Sequence, residues 1–300
     1  MERIFKIING KGEVKDLLDH ANFGYKPEGL GLSFSNSFYG AGANYIFLGS
    51  MLKQSQFSIR LLFGADESES YGRFAQFIQF LNHPPLRLSY TTEGSDEYFR
   101  DFKLAEISKS EKTTFGVLDE VVTLDFMTPW YQWETGALSV YEDQAGDGKI
   151  YVNQGATEGF YVYEYAYEDN LSEAAQFFRL ENNSIYLGSA SSSPLDITVE
   201  AVENEIVNPM WTLQQDGRLL QGDRYFLTIP VGGKLIVSSN PHDQKTILID
   251  ANGVESNVYQ AQDITMTNFV TAPAGKSILN FSNITGATVS YRLKKEVVVV

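Results

Sequence analysis

The sequence predicts a mainly β protein built in two parts, and three observations carry that reading. The chain has 300 residues, 43% of them apolar and 13% aromatic, enough for packed cores and about two ordinary domains. One stretch, over 68–82, has the apolar spacing of a helix, and nearly everything else alternates or breaks in the manner of strands and turns. Between them lies Phe126-Met-Thr-Pro-Trp-Tyr-Gln-Trp133, where the character of the chain changes. Up to Phe126 there are 13 basic and 17 acidic residues; from Met127 there are 10 and 21. Pro129 has no N–H to give to a ladder and stops the preceding strand. Trp130, Tyr131 and Trp133 are large surfaces to leave wet, so the joint is expected to be packed. The expected domains are therefore 1–130, a β-sheet with the helix, and 131–300, a β-sandwich.

In the first part, residues 22–49 are dense in glycine and aromatics, including Phe23, Tyr25, Phe38 and Tyr39. They read either as irregular β-connections or as an extended arm that needs a neighbouring surface. In the second case these four aromatics are candidate subunit contacts. Gly40-Ala41-Gly42 is part of a dinucleotide fingerprint, but Tyr45 stands where the third glycine belongs and no strand–turn–helix frame surrounds it. Phe57, Ile59, Leu61 and Phe63 alternate with polar neighbours as one half-buried strand. Asp66 and Glu69 have the spacing of a capping box. Tyr71, Phe74, Ala75, Phe77, Ile78 and Leu81 then form an apolar helical stripe, which His83-Pro84-Pro85 stops. A helix this aromatic is expected to pack on the sheet. Strands follow over Leu86–Tyr90, Tyr98–Ile107 and Asp119–Phe126.

The second part reads as short strands separated by turns: Gly146-Asp-Gly148, Asn182-Asn183, Asp216-Gly217, Gly232-Gly233, Asn240-Pro241 and Asn252-Gly253. That pattern suggests a sandwich. Val297–Val300 reads as a strand tail. Residues 134–173 hold nine acids against one base, Lys149, and suggest an arm-like insertion. Within it Tyr161, Tyr163, Tyr165 and Tyr167 share one strand face. Such a row serves either as the packed face of a sheet or as a platform for a sugar or a protein.

The chemistry-bearing residues form no catalytic constellation. His20, His83 and His242 lack a serine motif, a second histidine at metal spacing, or a glycine elbow. Asp143-Gln-Ala-Gly-Asp147-Gly148 matches only part of a calcium loop, since Ala145 and Gln154 fill ligand positions; it reads as an acidic turn. No cysteine is present, which removes disulfides and thiolate chemistry. No catalytic, cofactor or metal site is expected. The net charge of −15 disfavours tight nucleic-acid binding. The first residues do not form a signal peptide and no apolar run is long enough to span a membrane, so synthesis in a cytoplasm is expected.

Several segments together resemble the distal tail protein of siphophages that infect Gram-positive bacteria, encoded by a phage or prophage. Phe74-Ala-Gln-Phe-Ile-Gln-Phe-Leu-Asn-His-Pro-Pro-Leu-Arg-Leu-Ser-Tyr90 is similar to that family's helix and following strand. Leu124-Asp-Phe-Met-Thr-Pro-Trp-Tyr131 is similar to its domain junction. Asn208-Pro-Met-Trp211, Gly232-Gly-Lys-Leu-Ile-Val-Ser-Ser239, Asn268-Phe269 and Pro273-Ala-Gly275 are similar to its C-terminal sandwich. The resemblance implies a non-enzymatic structural protein of the virion tail tip, part of the baseplate. It implies a homo-hexameric ring of N-terminal domains around the tail channel, with galectin-like C-terminal domains outside. The implied partners are the tail-tube protein, the tail-associated protein and a receptor-binding protein, with the tyrosine row as a possible contact for the last. A carbohydrate-binding sandwich acting at the bacterial wall is the competing reading.

Overall fold

The structure is a computed structural model. It describes residues 3–19, 22–64, 69–92, 94–139, 149–153, 160–164, 176–185 and 192–298. The chain forms two compact units. One comprises Met1–Gln132, Ile185–Ala190 and Glu296–Val300, the other Trp133–Ser184 and Ser191–Lys295.

The first unit contains β1 (Arg3–Ile8), β2 (Val14–Asp16), β3 (Asn22–Glu28), β4 (Phe34–Ala41), β5 (Asn44–Leu52), β6 (Gln56–Phe63), α1 (Ser70–Leu81), β7 (Leu86–Thr92), β8 (Tyr98–Ile107), β9 (Leu118–Phe126) and the start of β10 (Tyr131–Ser139). Seven of these pair in the order β2–β1–β7–β8–β9–β6–β3, antiparallel throughout. The sheet curls until its ends meet at Leu17. The Leu17 N–H donates to Phe5 O at 2.8 Å, and its carbonyl accepts from Gly24 N. A nearly closed barrel results. Alternation puts Phe5, Ile7, Phe57, Ile59, Leu61, Phe63, Leu88, Phe102, Val122, Leu124 and Phe126 inside it. The strands expected at Tyr98–Ile107 and Asp119–Phe126 stand as β8 and β9.

The helix α1 covers one end of this core. Phe77, Phe80 and Leu81 are buried, and Phe63 meets the rings of Phe74 and Phe77 at 5.4 and 5.5 Å. The apolar stripe is narrower than the spacing suggested. Tyr71 lies outside it, its ring near Lys109 and Lys112 and its hydroxyl donating to Glu111. The capping box expected from Asp66 and Glu69 does not form. Glu69 is itself the N-cap residue, its side chain makes no capping hydrogen bond, and Asp66 lies outside the described residues. The helix start is tied down instead by the Ser70 hydroxyl, which donates to Gly116 O at 3.0 Å.

The second unit is a two-sheet sandwich. Its strands are β11 (Lys149–Asn153), β12 (Phe160–Glu164), β13 (Gln176–Asn182), β14 (Ser192–Ala201), β15 (Ile206–Val207), β16 (Met210–Gln215), β17 (Arg218–Arg224), β18 (Thr228–Ile229), β19 (Lys234–Ser238), β20 (Lys245–Ile249), β21 (Glu255–Asn257), β22 (Thr271–Pro273), β23 (Gly275–Ser282) and β24 (Ala287–Glu296). One sheet runs β24–β14–β19–β20–β21, the other β13–β23–β16–β17. Leu195, Ile197, Val199, Leu235, Val237, Val289 and Leu293 of the first face Leu180, Trp211, Leu213, Leu279 and Phe281 of the second in one core. Of the expected turns that are described, Asp216-Gly217, Gly232-Gly233, Asn240-Pro241 and Asn252-Gly253 fall between strands, whereas Asn182 is the last residue of β13. Asp216 and Gly217 both take left-handed φ (51° and 73°) in the two-residue loop of the β16–β17 hairpin, where Gln215 pairs with Arg218. The Asp250 carboxylate accepts from Asn252 N and Val254 N in the turn before β21. Of the strand tail expected over Val297–Val300, Val297 and Val298 lie beyond the last strand, and Val299 and Val300 lie outside the described residues. β24 ends at Glu296, and Val297 N donates to Trp130 O.

Candidate functional site

Among the described residues no three histidine, cysteine or carboxylate side chains converge to hold a metal. His83 Nε2 meets Lys11 Nζ at 2.9 Å, His242 sits in a turn, and His20 is outside the described residues. The partial calcium loop at Asp143–Gly148 is also outside them. No described helix is long and apolar enough to cross a membrane. Gly40-Ala41-Gly42 lies at a hairpin tip, where β5 follows in place of the helix a dinucleotide site requires.

The outstanding surface feature is that hairpin. β4 and β5 form a two-stranded sheet of their own, with Ala41 paired to Asn44 across the turn and Phe34 paired to Leu52 at the root. Residues opposite each other in an antiparallel pair share a face. Phe34, Phe38, Tyr45, Phe47 and Leu52 therefore share one face; Tyr39, Ile46 and Met51 share the other. Leu48 is the extra residue of a bulge between the Ser37–Gly49 and Phe38–Phe47 pairs. Phe38 and Phe47 pack edge to face at 5.7 Å. Both faces lie open: Phe38 is 54% exposed, Tyr45 80%, Leu48 66% and Met51 72%. Residues 29–52 carry no charged side chain, in a chain of net charge −15. An isolated two-stranded ribbon is marginal in water, and exposed apolar surface of this extent marks a contact.

The structure divides the four aromatics singled out in the sequence. Phe38 and Tyr39 sit on opposite faces of this hairpin. Phe23 and Tyr25 sit in β3, a strand of the barrel. Phe23 is 45% exposed. Tyr25 is anchored within the unit, its hydroxyl donating to Asp119 Oδ2 at 2.7 Å while Arg60 holds the same carboxylate at 2.9 Å. Burial tends to raise the Asp119 pKa, but the hydrogen bonds from Arg60 and Tyr25 outweigh it and hold the carboxyl below its ordinary range. Sequence reasoning missed Tyr45, Ile46, Phe47, Leu48 and Met51. The signal was the long stretch without charge.

Of the tyrosine row, Tyr161 and Tyr163 lie in β12, opposite Val152 and Ile150 of β11 in a second separate two-stranded sheet. Tyr165 and Tyr167 lie outside the described residues.

The roots of the β4–β5 hairpin are held by the segment that ends β9. Arg100 is 2% exposed. It donates through Nε to Thr128 O at 2.6 Å and through Nη2 to Ser55 Oγ at 2.7 Å, with its guanidinium 3.8 Å from the centre of the Phe126 ring. Trp130 Nε1 donates to Leu30 O at 3.3 Å. Thr128 Oγ1 accepts from Asp101 N, and the buried Tyr131 hydroxyl donates to Asp101 Oδ1. The stretch Phe126–Tyr131 is thus packed and bonded nearly residue by residue.

Comparison with known proteins finds relatives for this arrangement. Residues 4–127 match the family model described as distal tail protein, N-terminal domain. The distal tail protein of Lactococcus phage SK1 is 28% identical over 169 residues, or 54% of this chain; the match spans about half (52%) of that relative's length. A chain of the phage P2 baseplate, solved in its activated conformation with Ca, is similar over 100% of both chains with a TM-score of 0.70 at 18% identity. The SPP1 Dit protein, described as a paradigm of hub adsorption apparatus in phages infecting Gram-positive bacteria, is similar over 97% of this chain and 98% of its own, with a TM-score of 0.54 at 10% identity. At these identities the two solved structures share the fold. Residues 4–127, which hold the barrel and its helix, are thus similar to the N-terminal domain of distal tail proteins.

Proposed function

We propose that the protein is a structural component of the phage tail tip. Six copies form a hub ring around the tail channel and join the tail-tube protein to the tail-associated and receptor-binding proteins. In this reading residues 1–130 make the ring and residues 131–300, with a galectin-like sandwich, lie outward. The observation that carries it is the open, uncharged β4–β5 hairpin. Copies with a net charge of −15 repel one another over most of their surface, and like charges across a contact are costly. A charge-free apolar ribbon is the part of such a surface that can meet a second copy without that cost. A hairpin on one copy seated on a different surface of the next is a heterologous contact, which closes into a ring when the rotation permits. Residues 134–173, including β11 and β12 with Tyr161 and Tyr163, are proposed as the arm that docks a receptor-binding protein. Sizing the native protein against a variant with Phe38→Ser and Phe47→Ser tests the hairpin contact.

A further inference from the structure

Arg100 is a buried cation with no carboxylate partner among the described residues, and its Nη1 donates to none of their atoms. Burial of a charge without a counter-ion is expensive, and burial lowers this guanidinium's pKa to about 10. An apolar side chain of similar size would fit a barrel core at less cost. The position of the group suggests what it does instead. It joins Ser55, at the β5–β6 root of the hairpin, to Thr128 of the junction loop. Trp130, whose ring centre is 5.7 Å from the same guanidinium, joins Leu30 at the other root to that loop. Packing fixes the roots only in part: Leu30 packs on the barrel core, and a Cβ on Gly29 would lie 1.9 Å from Gln56 O. A cavity of about 510 Å³ opens between them, lined by Gly29, Gly31, Ser33, Gln54, Ser55 and Asp125 among others. A Cβ on Gly31 would meet nothing within 4 Å. With space on that side beyond Leu30, the direction of the hairpin depends on the hydrogen bonds at its roots.

We propose that Arg100 is the positioning residue of the hairpin: with Trp130, it clamps both roots to the Phe126–Tyr131 loop and so sets the angle at which β4–β5 leaves the barrel. This rests on the reading of the hairpin as the contact between copies, since a ring closes only if each copy presents its contact at one angle. The cation, and not an apolar residue, is needed because one planar group must reach two oxygens on different segments while lying on Phe126 and near Trp130.

The test uses spin labels on the full chain, which has no cysteine of its own. Labels at Ala41→Cys on the hairpin tip and Lys103→Cys on β8 report the hairpin angle on dissociated protein, whatever its assembly. The expected result is a narrow distance distribution in the parent that broadens roughly two-fold in Ser55→Ala and in Trp130→Phe, while the thermal melt of the barrel stays cooperative. Ser55→Thr, which keeps the hydroxyl, restores the narrow distribution. Ring association of Ser55→Ala weakens about ten-fold, the equivalent of one hydrogen bond to a charged group. Equal widths in the parent, Ser55→Ala and Trp130→Phe overturn the clamp. If the width responds but the parent never assembles, the clamp stands and the ring reading falls. If the width does not respond while Phe38→Ser with Phe47→Ser abolishes assembly, the ring reading stands and the clamp falls.

Discussion

At the Asp223 carboxylate, burial and hydrogen bonding act in opposite directions. The group is fully buried; Oδ2 accepts from Trp211 Nε1 at 3.0 Å and from Val270 N, and Oδ1 accepts from Phe269 N at 2.8 Å. Burial pushes its pKa up against those three donors. A folded-state pKa above the unfolded value means that this group's contribution to stability declines as pH rises through the range above 3.8. The donors still need their acceptor. Asp223→Asn turns an N–H₂ toward at least one of them, so it is expected to destabilise the second unit by about 1–3 kcal/mol in denaturant unfolding. The bonds also explain why Asn268 and Phe269 take consecutive left-handed φ values of 57° and 51°: the turn aims the N–H groups of Phe269 and Val270 at Asp223. Asp119 in the first unit has the opposite sign. Its lowered pKa gives stability that is present above pH about 4 and lost as pH falls through the folded-state value. Tyr25→Phe removes one of its donors, so the carboxyl should titrate closer to 3.8 by NMR and the acid-unfolding midpoint should rise. The sequence marked Trp211 and Asn268-Phe269 as landmarks. Their shared partner was not legible, because Asp223 is 46 residues from Phe269 in the chain and nothing local ties them.

Among the elements, those with one buried face were legible and those without were not. β6 and β9 alternate because each has one side in the barrel core, and both stand close to where the alternation put them. The helix was legible from Phe74, Phe77 and Leu81; its start was not, because what fixes it is a contact with a distant turn and not a side-chain cap. Gly64 is part of that start. It has φ +90°, and a Cβ there would lie 2.7 Å from the Cβ of Ser70. Gly64→Ala is expected to cost about 1–3 kcal/mol and to loosen α1 on Phe63, read by thermal unfolding and by amide exchange in the helix. The β4–β5 hairpin gave a weaker signal. With both faces open its apolar residues follow no single period, and the bulge at Leu48 shifts the alternation part-way along. Aromatic density and missing charge mark it as an arm, but its pairing becomes visible only in three dimensions.

For the whole molecule, the proposed ring requires an acidic chain to meet its own copies. Thirty-eight acidic residues against 23 basic ones hold copies apart, so the proposed assembly depends on a surface from which charge has been removed. Residues 29–52 are the surface proposed for it. At the centre of a contact an aromatic truncation typically costs about 2 kcal/mol or more, so losing Phe38 and Phe47 together should abolish association while the barrel, which they do not enter, stays folded. Light scattering at rising protein concentration, with tail partners added where needed, reads this as a mass. For the native protein the expected mass is six times that of the 33.6 kDa chain, and for the folded variant with Phe38→Ser and Phe47→Ser it is that of one chain. A native protein that stays at one chain mass under every condition, or a variant that assembles as the native protein does, contradicts the hairpin as the contact that builds the ring.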